Sequence, residues 1–105
     1  MACCKLEIYV PETHVEAVKK AIFDAGAGQI GNYDCCCWQT SGVGQFRPLP
    51  DSKPFLGAAN VVEKVDEIKL ELICLSELMP TVIAALRQAH PYETPAFQYW
   101  PIKMD

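Results

Sequence analysis

The sequence predicts an α+β fold in the order βαββαβ: a four-stranded antiparallel sheet with two helices on one face. Three observations carry this expectation. Residues 4–10 and 65–75 both alternate apolar and polar side chains with the period of a half-buried strand. Each alternating run then passes through a turn former or capping residue into an apolar stripe of helical spacing. The 105 residues suit one domain, 1–105, with a modest core.

In the first strand, "CKLEIYV", Cys4, Leu6, Ile8 and Val10 share one face and Lys5, Glu7 and Tyr9 the other. Pro11 ends it. Thr13, with Glu16 three residues on, has the spacing of a capping box for the first helix. Val15, Val18, Ala21, Ile22 and Ala25 form its apolar stripe, and Gly26 and Gly28 supply the stop. "IGNYDCCCWQT" reads as the second strand, entered through Gly31-Asn32. An irregular excursion from Ser41 to about Val62 follows, rich in Gly and Pro, and loops of that length usually carry function or disorder. "VDEIKLELICL" is the third strand, with Ile68, Leu70, Leu72 and Cys74 inward. Ser76 is the expected cap of a helix over 77–89 striped by Leu78, Val82, Ala85, Leu86 and Ala89, with Pro80 early, where its missing N–H costs nothing. The "HPYETP" turn leads to a last strand, "AFQYWPI". The sum is a ferredoxin-like plait.

Composition excludes several function classes. Half the residues are hydrophobic and the net charge is −4, with Lys and Arg scattered, so the chain has no cationic footprint for nucleic acid. No apolar run approaches the ~20 residues of a membrane span. The N-terminus lacks the features of a secretory signal, and the expected location is the cytoplasm, where six cysteines stay thiols or bind metal.

The usual strand order of such a plait, 4-1-3-2, places the starts of strands 1 and 2 and the end of strand 3 at one edge. Cys3, Cys4, Cys35, Cys36, Cys37 and Cys74 are therefore expected at one end of the sheet. Parity sends Cys4 and Cys74 into the core and, if Trp38 is inward, Cys36 with them. Cys35, Cys37 and Cys3 then face the other way. Two thiols at i and i+2, ~7 Å apart along a strand, suit a soft-metal site for Cu(I) or Zn(II). Cys3, Cys4 or His90 would help, and His90 and Glu93, three positions apart in a turn, can share a metal. The bland alternative for His90 is a helix C-terminal cap; His14 reads as a solvated surface residue. Arg47, between Phe46 and Pro48, is a candidate for binding a carboxylate or phosphate, though an ion pair with Glu93 or Asp51 is the plainer expectation. No hydrolytic triad or nucleophile signature is present.

The stretches "AGAGQIGNYDCC", "GVGQFRPLPDSKPFLG", "EKVDEIKLE" and "ALRQAHPYETPAFQYWPI" together resemble the YqfO-type domain of Nif-three-like proteins, from Val10 to Ile102. The resemblance implies a fold like CutA and the PII signalling proteins, which assemble as homotrimers through their sheets. Full-length relatives carry a separate two-metal domain, so their old label of GTP cyclohydrolase is not expected to transfer. The chain departs from the family pattern at Thr94, commonly a second acid, and at Cys35 and Cys37, which flank the single usual cysteine at Cys36. Two functions are expected in turn: a non-enzymatic soft-metal-binding protein acting through clustered cysteines, or a PII-like regulatory module that binds a partner or small metabolite through loop 41–62.

Overall fold

The structure, a computed structural model, describes residues 2–104. Strand β1 (Cys3–Pro11) passes through a 3-10 turn (Glu12–His14) into helix α1 (Val15–Asp24). Strands β2 (Trp38–Phe46) and β3 (Glu63–Leu75) follow, then a second 3-10 turn (Ser76–Leu78), helix α2 (Met79–Ala89) and strand β4 (Ala96–Ile102). All pairings are antiparallel and the sheet order is β2-β3-β1-β4, the plait read from the sequence.

The two central strands make the core. Cys4, Leu6, Ile8 and Val10 of β1 lie opposite Cys74, Leu72, Leu70 and Ile68 of β3, and all eight are buried. Cross-strand partners share a face, so one alternation reinforces the other. Val15, Val18 and Ile22 of α1 and Met79, Val82 and Leu86 of α2 close over them. Each such side chain contributes roughly 1.5–3 kcal/mol by leaving water.

The helix entries differ from expectation. Neither Thr13 nor Ser76 caps its helix, because a 3-10 turn precedes each one and moves the α-helical start downstream. Thr13 Oγ1 instead meets His14 Nδ1 at 2.8 Å. Pro80 does sit in the first turn of α2. Helix α1 ends where Gly26 adopts a φ of +104° and Ala27 N–H reaches back to Ile22 O at 3.1 Å.

The largest correction concerns β2. The strand begins at Trp38, not Ile30, and continues through Ser41–Phe46, so the irregular excursion is 47–62 instead of 41–62. Residues 30–33 form a tight reverse turn, with Ile30 and Tyr33 exchanging both backbone hydrogen bonds at 2.9 Å around Gly31-Asn32. Gly31 has φ +57°, as the first central residue of such a two-residue turn requires, and Cys35 has φ +55°. Two left-handed residues within five positions cannot continue a strand.

Register then inverts the predicted orientation of the cysteine run. Trp38 pairs with Glu71, which itself opposes Glu7 on the face away from the helices. Trp38 therefore points outward and is 69% exposed, not buried. Cys36 does not join the core; Cys37, one residue from Trp38, packs against it instead. Amphipathic Trp38 stays at the surface because it lies on the sheet face that neither helix covers.

Candidate functional site: a cleft at the base of the loop

The outer face of the sheet is charged and uncovered. Glu7 and Glu71 stand directly opposite each other, and their repulsion is offset by Lys69–Glu7 at 3.4 Å and Lys5–Glu71 at 3.3 Å. Beyond this ladder, at the end of β1 marked by Tyr9 and Val10, the loop 47–62 and the turn 90–95 fold onto each other.

His90 anchors that meeting. It is 5% exposed, its Nε2 lies 2.8 Å from Tyr9 O, and its Nδ1 accepts the Tyr92 N–H at 3.2 Å. A carbonyl requires Nε2 to donate and an N–H requires Nδ1 to accept, so the ring is the neutral Nε2–H tautomer. Burial pushes its pKa down, against the Tyr9 carbonyl and the Glu67 charge, which favour protonation; His14 adds to the lowering. Both ring nitrogens are committed to backbone partners, and His90 stands at the C-cap of α2, the plainer of its two sequence readings, where its own N–H donates to Leu86 O at 2.9 Å.

Tyr92 links the turn to the sheet. Its hydroxyl donates to Glu67 Oε2 at 2.8 Å, and burial followed by that bond raises its pKa well above the usual phenol value. Glu67 reaches this position by lying across Gly44, where any Cβ would collide with its carboxylate. Gly44 thus makes room for the acid that holds Tyr92. The Tyr92 ring contacts those of Phe46 and Phe55, with centroids 5.7 and 6.4 Å apart, and Phe55 stands edge-on to His14 at 5.3 Å. His14, read from sequence as merely solvated, is a docking point for the loop.

The loop is held by its own bonds. Asn60 N–H donates to Pro48 O at 2.7 Å, Ser52 N–H and Oγ both donate to Leu49 O, and Lys53 N–H donates to Glu93 Oε1 at 3.1 Å. Between loop and turn lies a cleft of about 370 Å³, walled by Phe46, Pro48, Leu49, Phe55 and Tyr92. Its polar side chains are Arg47, Ser52, Glu93 and Thr94. Arg47 pairs with neither Glu93 nor Asp51, correcting the plainer expectation, and among the described residues it has no ion-pair or hydrogen-bond partner.

The thiols occupy the other end. Cys3 opposes Leu75, and Cys4 opposes Cys74. Cys36 N–H donates to Gly28 O at 2.8 Å, and Gly28 N–H donates to Ile73 O at 2.8 Å, which brings the cysteine run to the same region. Cys36 and Cys37 line a second cleft, about 380 Å³, with Lys5, Ile30, Trp38 and Ile73. Cys35 is exposed and does not line that cleft. Its thiol is nonetheless held above the usual pKa, by desolvation first and then by the adjoining Asp34 carboxylate. Cys74 is pushed up to about 11 by burial first, then by Cys4 and Cys3. Among the described residues no three His, Cys, Asp or Glu side chains converge on a point that would hold a metal ion. The set Cys35, Cys37, Cys3, Cys4, His90 and Glu93 is divided between two ends of β1, roughly 20 Å apart at the rise of a strand. Within one chain it cannot be a single site.

The residues that build the loop cleft are only partly marked in the sequence. Phe46 and Phe55 read from the sequence as residues that pack the excursion on something and Gly44 as a special backbone position, but nothing in the sequence marks Glu67 and Tyr92 as their partners. Gly44 has no positive φ and makes room for a side chain instead. The available signal was the presence of both "GVGQFRP" and "HPYETP", which the fold brings into contact.

No family model matches the chain. A Mycobacterium tuberculosis protein named "GTP cyclohydrolase 1 type 2 homolog" is 43% identical over 98 residues, covering 93% of this chain and 26% of its own length. The chain thus spans about a quarter of the length of the curated relatives it matches. Among solved structures, a Bacillus cereus protein related to NIF3 superposes with a TM-score of 0.84 at 38% identity, over 98% of this chain and 26% of that one. The CutA divalent cation tolerance protein of Archaeoglobus fulgidus gives 0.69 at 17% identity over 98% and 86%. A GlnK–ATP complex from Bacillus subtilis gives 0.64 at 10% identity over 96% and 82%; these last two share the fold alone. Among the described residues no helix is long and apolar enough to cross a membrane.

Proposed function

Since the chain is a YqfO-type domain of the Nif-three-like family with the fold of CutA and PII proteins, we propose that it is a non-enzymatic regulatory module whose ligand site is the cleft between loop 47–62 and turn 90–95. The observation that carries this reading is convergence. Two stretches about 45 residues apart are tied together through Gly44, Glu67 and Tyr92 and through Lys53 and Glu93, and an unpaired guanidinium stands beside the apolar hollow they enclose. A cleft of about 370 Å³ sits at the small end of the range for small-molecule sites. The reading includes no chemical step, because His90 and Tyr92 already spend their polar atoms on structure. It also includes a cytoplasmic location and self-association, with a homotrimer through the uncovered sheet face and β2 edge as the expected form. The exposed Trp38 and Val43 on β2 favour such burial. A thermal-shift screen of metabolites against wild type and Arg47→Ala tests the cleft. A compound that stabilises the first and not the second supports it; the absence of any such compound argues against it.

A second reading rests on a separate observation: Cys36 and Cys37 line one open cleft, and soft thiolates select Cu(I) and Zn(II). The donor pair is then Cys36 and Cys37 in place of Cys35 and Cys37, with remaining ligands from another subunit. Anaerobic Cu(I) and Zn(II) titration of wild type against Cys36→Ser/Cys37→Ser decides it. Equal stoichiometry and affinity in both would remove thiol-based metal handling.

A further inference from the structure

The loop cleft carries opposite charges at its polar positions. Arg47 is a cation with no partner among the described residues. Glu93 presents a carboxylate held in place at Oε1 by Lys53 N–H, which leaves Oε2 for a ligand. The two line one cleft and form no ion pair with each other, so neither neutralises the other. The same cleft has an aromatic wall, from Phe46, Phe55 and Tyr92.

From this arrangement we infer that the cleft takes a free α-amino acid with a large apolar or aromatic side chain. The inference rests on the cleft being the ligand site. A guanidinium binds a carboxylate through a planar fork, a fixed carboxylate receives an ammonium, and the rings take the side chain. A purely anionic ligand would approach Glu93 at a cost, and a purely cationic one would approach Arg47 at a cost. A zwitterion satisfies both, and the hollow of about 370 Å³ is scaled to one small molecule and not to a dinucleotide. Lys53 and Thr94 do not disturb this logic, since Lys53 contributes its backbone N–H and Thr94 adds a neutral hydroxyl.

The test is a titration of the ¹⁵N-labelled chain with L-phenylalanine, followed by the amide signals of residues 46–55 and 92–94. Two truncated probes accompany it: 3-phenylpropionate, which lacks the ammonium, and phenethylamine, which lacks the carboxylate. L-Phenylalanine is expected to shift cleft signals, and each truncated probe to bind about tenfold more weakly, the scale of one charge-assisted hydrogen bond. Arg47→Ala should weaken L-phenylalanine about tenfold and should not weaken phenethylamine, whose repulsion from the guanidinium it removes. Glu93→Gln should weaken L-phenylalanine and should not weaken 3-phenylpropionate, whose repulsion from the carboxylate it removes. Equal binding of 3-phenylpropionate and L-phenylalanine at the cleft overturns the zwitterion and leaves the cleft as a ligand site. No shift at millimolar L-phenylalanine, or shifts away from the cleft, overturns the inference. In that case a different metabolite that stabilises wild type but not Arg47→Ala keeps the cleft reading alone.

Discussion

The two ends of the sheet differ in a way that residue types alone conceal. One end holds six thiols, the residues a chemist notices first, and the fold disperses them. Cys4 and Cys74 enter the core, Cys37 packs at its margin, Cys35 faces solvent, and no three donors converge among the described residues. The other end is built of glycine, phenylalanine, tyrosine, glutamate and proline. There the fold joins two remote segments by hydrogen bonds and rings around a hollow. Reactive residues suggest a site; convergence makes one.

The sharpest way to break this comparison is a pair of substitutions two residues apart on β2. Gly44→Ala puts a methyl group into the Glu67 carboxylate, displacing the acid that holds Tyr92. The flexible end of Glu67 absorbs part of the clash, and with the lost bond the change should cost about 1–3 kcal/mol. Gly42→Ala, with nothing within 4 Å of the new methyl, should stay within about 0.5 kcal/mol of wild type or gain slightly. Urea denaturation of both variants measures the difference. Equal stabilities would mean that Glu67 does not depend on Gly44, and the loop end would lose its keystone.

Tyr92→Phe isolates the next link. The ring stays against Phe46 and Phe55, but Glu67 Oε2 loses its donor. A partly buried carboxylate left without that bond should cost about 1–2 kcal/mol, read as a shift in denaturation midpoint. The accompanying loss of order in loop 47–62, followed by amide exchange, should exceed any change at the thiol end.

A smaller effect, linked to a single proton, is the pH dependence set by His90. Its folded pKa lies below the ordinary 6.5, with burial as the main cause. The unfolded chain therefore takes up the proton first as pH falls. Stability from this group is fully present above about 6.5, declines as pH drops from there toward the folded pKa, and levels off below it. Protonation also removes Nδ1 as the acceptor for Tyr92 N–H, so the loop end should loosen before the core. Stability curves of wild type and His90→Gln across this range check the sign; parallel curves would show that another group sets the slope.

Most of the fold was legible in the sequence, and the reason is physical. Central strands β1 and β3 are buried on one face only, so their alternation writes the register directly: Leu6 opposite Leu72, Ile8 opposite Leu70. Edge strand β2 has no fully buried residue, so burial imposes no alternation on it. "SGVGQF" thus reads as loop although it is strand, and the apolar run before it reads as strand although Gly31 and Cys35 turn it. The orientation of Trp38 failed for the same reason: hydrophobicity predicts burial only where something covers the strand. The loop cleft was less legible still. Glu67 looks like one more outward charge on β3, and only its place over Gly44 shows that it serves Tyr92.

The smallest predicted effect bears on the thiol end. Cys35 holds a left-handed backbone, φ +55°, that an L-residue adopts at a cost and glycine adopts freely. Cys35→Gly relieves this strain but gives the unfolded chain more freedom, an opposing effect of about 0.4–1 kcal/mol. The two nearly cancel, and the net change should lie within about 0.5 kcal/mol, tending toward stabilisation. Cys35→Val, β-branched at the same φ, should be clearly destabilising by comparison. If Cys35 were instead held by a partner or a metal that the protein needs, Cys35→Gly would lose stability or metal stoichiometry along with the sulfur. Denaturation midpoints of the two variants, measured with and without added Cu(I), separate a backbone role from a ligand role. A neutral glycine and a costly valine, unchanged by metal, would leave Cys35 a residue placed by the turn it closes, and the contrast between the two ends would stand.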